Sequence, residues 1–527
     1  MSKKINSFLF IILSIAGLSN KSTAQITILT PLSYKHYIDS FNADDIERYP
    51  QYIPDNKSWE FLANNIPLLD CPDEMIEQTY YFRWWTYRKH IKKTPAGFVI
   101  SEFLPDVPWA GKYNTINCAA ALHIYEGRWL HEQKYVNDYE KFWFTGGGDV
   151  RVYSSWITDA IFNQFKVTHD ASLAKELLPY LIKNYHAWEK ERLDANGLFW
   201  QIDGKDGMEV SICGSGYRPT INSYMYGNAM AIAEIALLLH QKNIADEFKA
   251  KADVIKENLQ NELWDDSDEF FKVLPRGKDT KICTTRELLG YTPWYFNIPD
   301  EKYSIAWKFL MSPRYFYAPY GPTTAEQDAP GFRVSYEGAA CQWNGPSWPF
   351  ATSITLTALA NVLNNYIQQY ITKADYFKLF SIYTNSQQRT RKDGKIIPWI
   401  DEDLNPYTGD WIARTCMQAM PIGEADKYGG PNRGKDYNHS TYCDLVITGL
   451  IGIRPRQDNI LEINPLVPAS WKYFCLDNVL YHGQLLTVLY DRTGERYHKG
   501  KGFFIFINGR KVASSASIKR IRLAINK

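Results

Sequence analysis

The sequence predicts a mainly α-helical fold: a helical barrel with its loops gathered on one face, followed by a small C-terminal β domain. Three observations predict it. Apolar residues recur at three-to-four spacing through most of residues 71–453. Long aromatic and glycine-rich stretches separate the helical segments, and loops carry function when a rigid scaffold positions them. After about residue 456 the segments become short, β-branched and alternating, with turn residues between them.

The chain starts MSKKINSFLFIILSIAGLSNKSTAQ. Lys3 and Lys4 form a basic start, Phe8 to Leu18 an apolar run, and Ser22-Thr23-Ala24 a small-residue cleavage site. Residues 1–24 therefore read as a secretory signal peptide, because the apolar run is too short to span a bilayer. The expected location is periplasmic or extracellular. Residues 25–70 carry Pro, Asn and Asp with little helical period and read as an extended lead-in. The barrel is assigned to residues 71–455. CPDEMIEQTYYFRWWTYRKHI begins with a helix-start signal and ends basic, as the helix dipole favours. Helical patterns follow at 116–133, 154–168, 172–193, 221–242, 244–264, 347–366, 373–388 and 440–453. Some, such as AMAIAEIALLL, are apolar on most faces, which points to burial on both sides. Residues 456–527 are assigned to the β domain, with NGR at 508–510 as a hairpin turn.

The formal net charge is +1, with acids and bases mixed along the chain. A nucleic-acid or anionic-membrane partner needs a concentrated basic surface, so both are excluded. No segment after the leader is an apolar run long enough for membrane insertion. Eight cysteines are scattered without CxxC pairs or zinc-ligand spacing, which leaves disulfides and buried free thiols both open. The 17 Trp, 36 Tyr and 26 Phe suit either a bulky core or a cleft where aromatic rings stack on sugar faces.

Several motifs are absent. Gly146-Gly147-Gly148 lacks the Walker lysine and the GxGxxG spacing. His123, Glu126, His131 and Glu132 contain no HExxH, and no GxSxG elbow is present. No metal and no cofactor is expected. What remains is carboxylate chemistry. Glycoside hydrolysis needs one carboxylic acid to protonate the leaving oxygen and a second carboxylate as base or nucleophile. Two distant loops offer such groups. IDGKDGMEVS holds Asp203, Asp206 and Glu209, and IDEDLNPYTG holds Asp401, Glu402 and Asp403. Bulky neighbours (Trp200 and Met208; Trp399 and Trp411) favour the burial that raises a carboxyl pKa. Turn capping is the competing role for each loop.

Three blocks carry a family resemblance: CQWNGPSWPF (341–350), EDLNPYTG (402–409), and DGMEVS with the following helix INSYMYGNAMAIAEIA. WITDAIFNQF (156–165) is a weaker echo of a substrate-binding block. Their order resembles the (α/α)6-barrel glycosidases that include mannosylglycerate hydrolase and processing α-glucosidase I. The resemblance implies a six-hairpin barrel and an inverting glycosidase acting on a carbohydrate. By position it makes Glu402 the base and Asp206 the acid. Because the family's Ser-Pro-Arg tail is missing, Glu209 stands as the alternative acid. The family's Trp-Arg-Gly-Pro arginine is replaced by Asn344. Candidate substrate contacts are His123, Glu126, Arg128, Tyr153, Asp159, Arg218, Trp343, Asn344 and Trp348. In this reading Asn405, Pro406, Thr408 and Gly409 build a rigid turn that aims Glu402, while Asp401 and Asp403 face outward or make turn hydrogen bonds. A polysaccharide lyase on the same scaffold would instead rely on Tyr224, Tyr226, His123 and Arg218. A non-catalytic glycan-binding protein would bind sugar without releasing any. Sugar, linkage and oligomeric state are not read from the sequence.

Overall fold

The computed structural model describes residues 27–278, 280–337, 340–421 and 423–525. The signal-peptide segment lies outside the described residues. The described chain opens with two short helices, α1 (Lys35–Asp44) and α2 (Ser58–Asn65), then a strand, Leu68–Asp70. This corrects the extended reading of residues 25–70. Helix α1 buries only Tyr37, Ile38 and Phe41, an apolar stripe too short to establish a period.

The barrel helices follow: α3 (Glu74–Lys89), α4 (Ala120–Gly127), α5 (Lys134–Thr145), α6 (Ile157–Thr168), α7 (Ser172–Arg192), α8 (Pro219–Leu238), α9 (Lys242–Glu262), α10 (Thr292–Tyr295), α11 (Pro349–Asn365), α12 (Lys373–Ser386) and α13 (Ile412–Ala419). Two 3-10 segments, Leu288–Tyr291 and Glu301–Phe309, and a π-helical segment, Leu445–Leu450, complete the set. Two rings result. The inner ring runs α4, α6, α8, residues 288–295, α11 and Leu445–Leu450, with neighbours packed side by side. It closes where Glu126, at the end of α4, accepts hydrogen bonds from the backbone N–H groups of Tyr442, Cys443 and Asp444. The outer ring is α3, α5, α7, α9, Glu301–Phe309 and α12.

Sequence explains the two layers. Every residue of α4 is buried, and α8 buries most of its length, as an inner helix must. The outer helix α9 buries a single stripe, Ala245, Phe248, Ala252, Ile255 and Leu259. Inner helices α8 and α11 each start with a proline at the first turn, where the missing N–H costs nothing. Outer helix α3 is capped by the Asp73 side chain on the Ile76 N–H at 3.1 Å. Outer helix α12 carries a full Thr372–Asp375 capping box.

The C-terminal β region contains a five-stranded antiparallel sheet in the order Leu68–Asp70, Tyr473–Tyr481, Gln484–Asp491, Gly502–Ile507, Arg510–Ser515. A two-stranded ribbon, Ile460–Ile463 with Ile521–Ala524, lies beside it in sequence. The outermost strand comes from before the barrel, so the sheet is not built from residues 456–527 alone. Asp70 on that strand accepts two hydrogen bonds from Arg496, each at 2.7 Å, and one from the Tyr497 hydroxyl at 2.5 Å. Among the described residues, no helix is long and apolar enough to cross a membrane.

A disulfide joins Cys213 to Cys283 across 70 residues of chain, and the other six cysteines are free. It ties the loop before α8 to the segment before residues 288–295. Closing a loop of that length typically stabilises a fold by about 2–4 kcal/mol. Reduction is therefore expected to lower the thermal unfolding midpoint. Thiol counting should find six free thiols in the unreduced, denatured chain. An unchanged midpoint after complete reduction would show that the bridge contributes nothing to stability.

Candidate active site

The loops that precede the inner helices surround a cavity of about 470 Å³. Its wall includes Cys118 and Ala119 before α4, Tyr153 before α6, Glu209 before α8, Trp343 and Trp348 before α11, and His439 before Leu445–Leu450. The inner helices therefore all begin at one end of the barrel, and the pocket sits there. Three glutamates line it: Glu102, Glu209 and Glu402.

Glu402 is held from both sides in sequence. Leu404 bridges to Ser347 and to Trp411, and the Asn405 side chain accepts from the N–H groups of Tyr407 (3.0 Å) and Thr408 (3.3 Å). Gly409 supplies the left-handed residue that closes this turn, with φ at +75°. Arg433 then grips the carboxylate at both oxygens, Nε to Oε1 at 2.7 Å and a terminal nitrogen to Oε2 at 3.0 Å. The approach is close enough that a Cβ on neighbouring Gly434 would collide with Asp401 and Glu402. Of the two expectations for Asp401 and Asp403, the outward orientation fails, since both are buried, and local hydrogen bonding holds, with Asp401 accepting from the Glu402 N–H at 3.1 Å. Asp401 accepts from Arg414 at 2.5 Å and from the Trp399 indole at 3.2 Å. Asp403 caps α13 by accepting from the Ala413 N–H at 3.1 Å. A run of three acids has no solvent-facing member here because each has its own donor set.

Glu209 enters the pocket from the loop before α8. Burial raises its pKa, and the Cys341 thiol donates to its Oε2 at 3.2 Å. The next residue, Val210, has φ at +65°, a strained setting for a β-branched side chain. Such strain persists only when the surroundings over-determine it. Here the Trp343 N–H donates to the Glu209 carbonyl at 3.1 Å, and the disulfide begins three residues on from Val210.

Asp206 is placed differently. It lies under the pocket rather than in its wall, where Arg218 Nε donates to its Oδ2 at 2.8 Å and the Thr220 hydroxyl donates to the same oxygen. Both Asp206 and Arg218 are buried, and Asp206 Oδ1 has no partner among the described residues, while the next residue, Gly207, lines the cavity. Asp206, expected as the acid, and Arg218, expected as a substrate contact, thus pair with each other and are not among the side chains that line the cavity. Glu209, three residues on, takes the position facing the cavity.

The other sequence candidates divide. Tyr153, Trp343 and Trp348 line the pocket, and the two indoles stack on one another with centroids 4.6 Å apart. His123, Glu126, Asp159 and Asn344 do not line it. His123 is a core histidine between the Tyr139 hydroxyl at 3.0 Å and the Asn438 carbonyl at 2.5 Å. Glu126 closes the inner ring, and Arg128 pairs with Asp444 at 2.7 Å. Asp159 faces a second cavity at the far ends of the inner helices, accepting from the Tyr125 hydroxyl at 2.6 Å. The Asn344 carbonyl accepts from the Arg333 N–H at 2.9 Å, so that residue shapes the loop.

Sequence reading missed Glu102, Arg433, Tyr437 and His439. Glu102 sits in an unremarkable VISEFLP stretch. Burial and the nearby charges of Glu402 and Glu209 push its pKa up to about 8. Tyr437 donates to its Oε1, while its Oε2 has no partner among the described residues. His439 is buried, lies against Tyr437 with ring centroids 3.8 Å apart and planes tilted by 45°, and leaves both ring nitrogens without a partner among the described residues. Burial holds its pKa far below the usual histidine range. No group of three or more His, Cys, Asp or Glu side chains is arranged to hold a metal among the described residues.

A pocket lined by three glutamates, stacked indoles and unpartnered polar atoms is equipped for sugar chemistry. The family model of the mannosylglycerate hydrolase MGH1-like glycoside hydrolase domain matches residues 112–440. The chain belongs to the MGH1-like glycoside hydrolases. In this MGH1-like chain, residues 453–514 also match the C-terminal domain of glycosyl hydrolase family 65. A solved structure titled sialidase is 42% identical, with a TM-score of 0.86, and the match covers 94% of this chain and 44% of that one. A family 78 rhamnosidase of Bacillus sp. GL1 is 12% identical with a TM-score of 0.53, covering 81% of this chain and 40% of that one, and shares the fold. An uncharacterised protein of Borreliella burgdorferi is 27% identical over 181 residues, 34% of this chain and 38% of that protein. The MGH1-like chain thus spans less than half the length of these relatives. The (α/α)6 barrel with a small C-terminal sheet is the architecture of this fold.

Proposed function

We propose that the protein is an exported, inverting glycosidase that hydrolyses an uncharged glycoside, with Glu209 as general acid and Glu402 as general base. The observation that carries this reading is the convergence of Glu209 and Glu402 on one aromatic pocket. Burial favours a protonated Glu209, which can then donate to a departing glycosidic oxygen. Arg433 orients Glu402 through two hydrogen bonds and leaves lone pairs free to take a proton from water. Inversion rests on the family resemblance, in which a base activates water opposite the leaving group. Export rests on the leader, and the Cys213–Cys283 bridge is chemistry suited to an oxidising compartment.

The preference for an uncharged sugar follows from the lining. Three glutamates face the cavity, and among the described lining residues Arg433 is the one cationic side chain, already engaged by Glu402. A ligand carboxylate, such as that of a sialoside, would meet no free cation there. The test is a panel of 4-nitrophenyl glycosides, neutral, uronic and sialic, followed by proton NMR of the released anomer on the natural linkage class identified. Release of inverted neutral sugar supports the proposal. Retained configuration rejects the single displacement, release only from acidic glycosides rejects the neutral substrate, and an unsaturated, UV-absorbing product indicates a lyase.

A further inference from the structure

Glu102 has no part in the acid and base roles just assigned, yet it shares their pocket. Its backbone carbonyl accepts from the Asn438 N–H at 3.1 Å, which locks the segment beside Tyr437 and His439. Tyr437 donates to Oε1, and its own ring lies tilted against His439. The second carboxyl oxygen, Oε2, is buried in the cavity wall with no partner among the described residues, as are both nitrogens of His439. Buried polar atoms in folded proteins are nearly always hydrogen-bonded. An orphaned carboxyl oxygen and an orphaned imidazole on one wall of a ligand pocket therefore define where a ligand's polar groups belong.

We propose that Glu102 is a specificity residue whose Oε2 donates a hydrogen bond to a hydroxyl of the bound sugar, with Tyr437 positioning the carboxyl and His439 giving a second contact beside it. The proposal rests on the glycosidase reading of the pocket. The charged and titratable groups facing Glu102 are Glu402, Glu209, Tyr437, Cys118, Tyr139 and Tyr153. None of these is a cation, and Arg433 across the pocket is bound to Glu402. Burial, with the Glu402 and Glu209 charges, outweighs the Tyr437 hydrogen bond that favours the ionised form of Glu102, so the side chain presents an O–H at neutral pH. Neutral His439 can donate through one nitrogen and accept through the other, which suits the dual character of a sugar hydroxyl.

The experiment compares wild type, Glu102→Gln and Glu102→Ala on the 4-nitrophenyl glycoside that the panel turns over fastest, between pH 6 and 9.5. The amide of Glu102→Gln keeps a donor and cannot ionise. Its KM should stay within about twofold of wild type at pH 7, and it should lose the rise in KM that wild type shows above about pH 8. Glu102→Ala should raise KM about tenfold with little change in kcat, the equivalent of one lost hydrogen bond. Collapse of kcat in Glu102→Gln would overturn the proposal by making Glu102 a proton-transfer group. Unchanged KM and pH profile in both variants would overturn it by making Glu102 structural. A turnover-independent readout uses protein labelled with carboxyl-¹³C glutamate, the Glu102 signal being the one absent from Glu102→Gln. It should titrate near pH 8 and shift on addition of glucose, mannose, rhamnose or arabinose; titration in the ordinary glutamate range near ~4.3, or no shift with any of these sugars, overturns the proposal. If no glycoside is turned over, the glycosidase reading fails while the carboxyl signal still decides the binding role.

Discussion

Glu402→Gln should lower kcat by roughly 10²–10⁴-fold, the range that a positioned acid or base contributes. The amide is nearly isosteric, so Arg433 keeps one partner oxygen and the turn from Asn405 to Gly409 is untouched. What disappears is the capacity to take a proton from water. Single-turnover rates on the best substrate, with circular dichroism as the check on folding, measure this directly. Glu209→Gln should show a similar loss on substrates with poor leaving groups and a smaller one on 4-nitrophenyl glycosides, whose leaving group needs little protonation. If Glu402→Gln retains near-normal turnover, Glu402 is not the base and the proposed mechanism falls.

The second large effect falls on stability. Asp206→Asn removes the nearer partner of a buried ion pair and leaves the Arg218 guanidinium with only the more distant Glu287 carboxylate, at 4.0 Å. Breaking such a pair on one side typically costs about 3–5 kcal/mol. Denaturant unfolding should show that loss, while the fraction that remains folded should keep kcat within a few-fold of wild type. This separates Asp206 from Glu209, whose replacement should do the reverse. A stable Asp206→Asn variant with abolished turnover would restore Asp206 as the acid.

Much of the architecture was legible because it is written in local periods. The all-round apolar run of α8, the single stripe of α9 and the turn chemistry of residues 405–409 each act within a few residues of chain. Glu402 was legible for the same reason, since its turn travels with it. The far side of the pocket was not. Glu102 and Arg433 lie more than three hundred residues apart and come to line one pocket only because the inner ring closes at Glu126. No local signal marks either residue. The Asp206–Arg218 pair was not legible either, because an aspartate beside glycine reads alike whether it faces a cavity or an arginine beneath it. Burial of Asp401 and Asp403 was likewise invisible, since their donors come from Arg414 and from the start of α13.

The strand at Leu68–Asp70 sets an order on the molecule's birth. Its sheet neighbour pairs Leu68 with Asp477, so the two partners are separated by some four hundred residues of translation. At roughly 5–20 residues per second, the early strand waits on the order of 20–80 s for its mate. During that interval the hydroxyl of Tyr81 on α3 can already occupy both the N–H and the carbonyl of Leu69, at 3.0 and 2.9 Å. One edge of the nascent strand is thereby covered by its own neighbourhood. The other stays open until the last segments leave the ribosome, and an open strand edge is a template for pairing with another chain. That edge must therefore be sheltered until Tyr473–Tyr481 is made, and the strand Tyr473–Tyr481 completes a structure begun some four hundred residues earlier.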